Sequence, residues 1–214
     1  MEKTYNNLPL YKLNINVEDN AFVDAIGIVD EPAIASNALF FGKVTPDENI
    51  VLEVKESATK QMFSDSNKYE LLGAAMIPDL PMFRPKNELI PHDHYVLFTA
   101  DEIRHIAKVF HAKGCQNNIN LQHTSTTADS FTFQSYFIDK SRNIGTPEGI
   151  ETLPEGTWMV GMSVANQDTF NKLTKSNFGF SVEGLFGYSS FSKVMEKTPL
   201  ELLEEQLQFL QSIK

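Results

Sequence analysis

The chain has 214 residues, 42% hydrophobic and 21% charged, a globular composition long enough for one large domain or two small ones. A formal net charge of −10 argues against nucleic acid or an anionic membrane surface as the main partner, since both need basic patches. The single cysteine, Cys115, excludes an intrachain disulfide framework, and with no apolar signal core at the N-terminus and no apolar run of roughly 18–20 residues the expectation is a soluble, intracellular protein.

Strand patterns dominate from the start. Tyr11, Leu13, Ile15 and Val17 alternate with Lys12, Asn14, Asn16 and Glu18, as in a half-buried strand. In "GIVDEPAI" Pro32 ends a strand and Asp30 and Glu31 fall in the turn. After the loop "FGKVTPDEN", Ile50, Leu52 and Val54 alternate again. "YELLGAAMIP" and "HYVLFT" read as buried strands. His92 and His94, in "PHDHY", have the i, i+2 spacing of two ligands on one strand face, but no companion Cys/His pair exists, so they read as a polar turn rather than a metal site.

A helix follows over "TADEIRHIAKVFHAKG". Thr99 and Glu102 form a capping box, Ile103, Ile106, Ala107 and Phe110 make one apolar stripe, and Gly114 closes the C-terminus. His105 and His111 read as solvent-facing, and Cys115 as an incidental loop thiol. Three more strands come next. "INLQH" puts Ile119, Leu121 and His123 on one face; "SFTFQSYFID" does so for Phe131, Phe133 and Phe137; "TWMVGMSV" does so for Trp158, Val160, Met162 and Val164. The last two are separated by a Pro- and Gly-rich loop, Asp139 to Thr157.

A short helix over "NQDTFNKLTKSN" faces Phe170 and Leu173 inward, and the strand "GFSVEG" follows. Phe178, Phe180 and Val182 share one parity; Ser181 and Glu183 share the other, so two polar groups project together from the side away from the phenylalanines. The tail "TPLELLEEQLQFLQSIK" opens with Pro199 and a capping box of Thr198 and Glu201, and carries a Leu200, Leu203, Leu207, Leu210 seam. It could pack back on the domain, pair with another copy, or lead into a longer helical region.

Serine needs an adjacent base to become a nucleophile, and a histidine on another strand can supply it in any chain order. His123 and Ser181 are such a pair, although His123 also fits as a histidine at the rim of the core. The chain has no G-x-S-x-G elbow, Walker loop or dinucleotide fingerprint.

Seven segments in order, "GIVDEPAI", "GAAMIPDLPMFR", "HYVLFTADEI", "NINLQH", "FTFQSYFID", "LPEGTWMVGMSV" and "GFSVEG", resemble the XkdF-type serine proteases of tailed phages and prophages, a branch of the prohead (capsid maturation) proteases. The resemblance implies an α+β, mainly β fold: a closed or partly open β-barrel with flanking helices, like the herpesvirus assembly proteases. A prohead protease domain is expected over residues 1–195, followed over 196–214 by the C-terminal amphipathic helix, read from its leucine seam, as packing, self-association or the start of a scaffold region. The resemblance also implies an endopeptidase without cofactor or metal, acting in the host cytoplasm inside the phage prohead. Its substrates would be scaffold and major capsid proteins, and a homodimer is expected. Ser181 matches the family's nucleophile and His123 its histidine.

The third member stays open between Glu183, on the face of Ser181, and Asp139, at the end of "FTFQSYFID". Herpesvirus relatives use a second histidine after the serine, and none follows Ser181 here. The family pattern also has glutamate where this chain has Gln134. Both departures keep a second expectation alive, a catalytically silent capsid-assembly protein that retains the fold. A different small hydrolase using the same pair is a third.

Overall fold

The computed structural model describes residues 3–13, 22–29, 62–65, 68–86, 90–121, 123–124, 128–147, 153–174, 179–185, 191–193 and 211. The expected strand at Ile50–Val54, the turn Asp30–Glu31 and the tail seam lie outside them. The described strands are β1 (Thr4–Tyr5), β2 (Leu8–Leu13), β3 (Phe22–Val29), β4 (Met62–Asp65), β5 (Glu70–Met76), β6 (Met82–Arg84), β7 (His94–Leu97), β8 (Ile119–Leu121), β9 (Ser130–Phe137), β10 (Trp158–Val164), β11 (Gly179–Leu185) and β12 (Phe191–Lys193). Two α-helices, α1 (Ala100–Ala112) and α2 (Gln167–Thr174), complete the set. The chain is therefore mainly β with two described helices.

The strands form three sheets. One runs β1-β2-β7-β6, with β12 also paired to β2; one runs β4-β5-β10-β9; the third runs β11-β3-β8. None of these ladders closes on itself among the described residues, so the barrel implied by the resemblance is not drawn by the hydrogen bonding.

Sequence chemistry accounts for the core. Trp158, Val160, Met162 and Val164 alternate along β10 and are all buried in the main cluster, with Ile26, Ile28, Ile119, Phe180 and Val182 from the third sheet. Helix α1 begins where expected: Thr99 Oγ1 accepts from the Glu102 amide at 3.4 Å, and Glu102 Oε2 accepts from the Thr99 amide at 2.6 Å. Its stripe of Ile103, Ile106, Ala107 and Phe110 is buried and packs on β3 and β10. Gly114, at φ 71°, takes the left-handed position after the helix that glycine adopts without strain. Phe170 and Leu173 of α2 are buried as predicted.

Three expectations are corrected. Phe131, Phe133 and Phe137 do not share a face, because the β9–β10 register shifts at Phe133: Gly161 pairs with Gln134 and Met162 with Thr132. An extra residue in one strand reverses the alternation beyond it. Phe131 and Phe133 are exposed, and Thr132 points inward instead. His111 does not face solvent freely; its ring packs on Phe110 and Trp158, and burial lowers its pKa. His94 is not a turn residue but the buried first residue of β7, with its ring edge-on to Tyr11.

Candidate active site

The third sheet builds the site. Its middle strand, β3, runs antiparallel to β11 and parallel to β8. Ser181 pairs with Gly27, and Gly27 pairs with Asn120 on the other side. Paired residues point to the same face of a sheet. Ser181, Gly27 and Asn120 therefore form one row across three strands, on the face opposite Ile26, Ile28, Phe180 and Val182. Glu183, two residues beyond Ser181, pairs with Ala25 and shares that face.

Helix α1 and the turn after it deliver β8 to this position. The Asn118 carboxamide nitrogen and backbone carbonyl anchor its entry: Ile26 N donates to Asn118 O at 3.0 Å, and Asn118 Nδ2 donates to Asp24 O at 2.9 Å. The strand then ends at Leu121, where Thr124 N and Thr124 Oγ1 both donate to the Leu121 carbonyl, at 3.1 and 2.7 Å. This turn holds His123 at φ 52°, in the left-handed region.

That backbone corrects the expected orientation of His123. Strand parity would have put it beside Ile119 and Leu121. The chain has left the sheet by then, and the imidazole lies over Gly27 on the polar face. A Cβ at Gly27 would stand 2.9 Å from both Cε1 and Nδ1 of His123, and 3.2 Å from Asn120 Oδ1. Glycine is what allows the ring this close approach.

Glu183 joins the pieces. Its Oε1 lies 2.5 Å from His123 Nδ1 and accepts from Asn120 Nδ2 at 2.6 Å. A carboxylate only accepts, so Nδ1 carries the proton in this pair and Nε2 is left as the acceptor. Ser181 is 1% exposed, and among the described residues its Oγ has no hydrogen-bond partner. The His123 and Glu183 side chains are each about one-third exposed, at 37% and 36%. The arrangement thus places a buried hydroxyl on the same sheet face as an imidazole that is held by a carboxylate.

Residues 85–188 match the family model described as "Putative phage serine protease XkdF". The XkdF match covers just under half of the chain and includes His123, Ser181, Glu183, Asp139 and Asn120. At the level that name gives, the resemblance is to phage serine proteases. Gly27, which forms the floor of the site, lies before the XkdF-matching segment. No curated protein and no solved structure matches the chain.

Asp139 stands apart from this cluster in its contacts. Its carboxylate accepts from Ser141 Oγ at 2.6 Å and from the Arg142 amide at 3.3 Å, and lies 3.6 Å from Arg104. The Ser141 hydrogen bond is the largest of the influences that hold its pKa below the usual carboxylate value. The residue caps a short 3-10 turn, Lys140–Arg142. Gln134 pairs with Gly161, and its side chain lies across that glycine.

Two contributors were missed by sequence reasoning. Asn120 carried a signal, since with Gln122 it is a polar residue of "INLQH" on the parity opposite Ile119 and Leu121. Gly27 carried a weaker one, as a glycine inside the apolar strand "AIGIV". Among the described residues, no group of three or more His, Cys, Asp or Glu is placed to hold a metal ion. No helix among them is long and apolar enough to cross a membrane.

Proposed function

We propose that this chain is a serine endopeptidase of phage prohead maturation, with Ser181 as nucleophile, His123 as general base and Glu183 as the group that orients the histidine. One observation carries the reading: the His123–Glu183 contact lies on the sheet face of Ser181, over the glycine that pairs with it.

The chemistry is acyl transfer. Ser181 Oγ attacks the scissile carbonyl while His123 Nε2 takes its proton. His123⁺ is stabilised by Glu183 and then returns the proton to the leaving amine. Water hydrolyses the acyl-enzyme by the same route. The hydroxyl and the imidazole must come within hydrogen-bond reach on substrate binding, which is common where the free enzyme holds its groups loosely. The substrates proposed are scaffold and major capsid proteins inside the immature head.

A second reading, a catalytically silent assembly protein, draws on the burial of Ser181 and on its hydroxyl having no hydrogen-bond partner among the described residues. Co-expression with the neighbouring scaffold and capsid proteins, read by intact mass, separates the two. Fragments in the wild type that vanish in Ser181→Ala and in His123→Ala support the protease. Uncut masses in all three, with heads assembled, support the silent protein.

A further inference from the structure

We propose that Asn120 is a positioning residue of this site: its carboxamide fixes the Glu183 carboxylate, and through it the imidazole of His123. The proposal rests on the protease reading for its kinetic consequence, but its geometry stands separately.

Glu183 extends from β11 and His123 from the turn after β8, so two unconnected strands must bring the pair together. A glutamate has three side-chain torsions, and one contact to an exposed imidazole does not fix them. Asn120 supplies the second contact. Its Nδ2 donates to the same Oε1 that meets His123 Nδ1, at 2.6 Å. Asn120 sits on β8 three residues before His123, on a strand pinned to β3 by register and to the Ala128 amide through Ile119 O at 2.9 Å. The donor therefore comes from a rigid element, and the two donors converge on one acceptor.

The orientation of the carboxamide follows from the chemistry. Were it reversed, Oδ1 would face a carboxylate, with two acceptors in contact. In the orientation found, Oδ1 is buried and has no hydrogen-bond partner among the described residues. An unpaired buried carbonyl is unfavourable, which marks the Nδ2–Glu183 bond as the interaction that holds the side chain in place.

The test combines kinetics with proton NMR on the full chain, using wild type, Asn120→Leu and the isosteric Asn120→Asp, both of which remove the donor. The expected result is a fall in kcat of roughly 10- to 100-fold, the effect of one hydrogen bond to a charged group, with KM little changed. The hydrogen-bonded His123 Nδ1 proton, a downfield and slowly exchanging signal in the wild type, should broaden or vanish in both variants. Wild-type kcat and an unaltered signal in both would overturn the proposal. The unaltered protein gives a reading that needs no variant: an Asn120 amide exchanging as fast as a solvated one would also overturn it. Ser181→Ala keeps the two questions apart. If it cuts like wild type, the protease reading fails at Ser181, while the NMR signals still decide whether Asn120 holds the pair.

Discussion

The imidazole of His123 occupies the space that a side chain at Gly27 would fill, with Nδ1 and Cε1 both 2.9 Å from the position of a Cβ there. The candidate base is thus seated on the middle strand of its sheet, between the row position of Ser181 and that of Asn120. Gly27→Ala should push the ring off this seat. A displacement of about 1 Å in a catalytic group can cost on the order of 10²-fold in rate. We expect a loss of that size in cleavage, with the thermal midpoint changed far less than the rate; an unimpaired Gly27→Ala enzyme would show that the ring position has no bearing on cutting.

The two candidate third members should separate cleanly. Glu183→Gln removes the acceptor charge beside His123 and should lower kcat by roughly 10²–10⁴-fold. Asp139→Asn should leave cleavage near wild type, because its partners are Ser141, Arg142 and Arg104. Parallel rate measurements on both variants decide it, and the reverse ranking would move the orienting role to Asp139.

Ser181→Ala should do two opposite things. Cleavage should fall by several orders of magnitude, to about 10⁻⁴ of wild type or lower. Stability should rise, by about 1 kcal/mol, because the variant removes a buried hydroxyl that has no hydrogen-bond partner among the described residues. Urea unfolding of both proteins measures the difference, and a clearly destabilised Ser181→Ala would mean the hydroxyl is satisfied in solution.

Acid should weaken the fold through two histidines. Burial lowers the pKa of His94, with a hydrogen bond to the His92 backbone opposing it, and burial lowers that of His111. Both folded values lie below the ordinary 6.5. Between the folded and unfolded values the unfolded chain binds more protons, so this stability is complete above about pH 6.5 and is lost as pH falls toward the folded values. The thermal midpoint should drop over that window, and His94→Phe should drop less steeply. An equal slope in the variant would remove His94 from the account.

The parts of this molecule that were legible in its sequence are those governed by local periodicity. The stripe of α1, its Thr99 cap and the alternation of β10 depend on neighbours a few residues away, and they emerged as read. The grouping of Phe131 with Phe137 failed because one extra residue in β9 has no local signature. Ser181 and Glu183 were placed on one face by parity alone, and the register keeps them there. The meeting of Glu183 with His123 was not legible, since parity carried His123 to the wrong side. A left-handed backbone at a non-glycine residue is set by the turn around Leu121, which alternation does not see. Gly27 carried only a weak signal for a related reason: what matters there is an atom that is missing.

The order of strands in the site sheet also sets when the site can exist. The seat, β3, and His123, after β8, precede β11, the strand of Ser181 and Glu183, which pairs with β3 across more than half the length of the chain. During synthesis the earlier strands emerge first and must await residues 179–185 before the row of Ser181, Gly27 and Asn120 is complete. A chain released short of those residues would hold His123 and its seat but neither Ser181 nor Glu183, so on the proposed reading an incomplete copy would have nothing to activate.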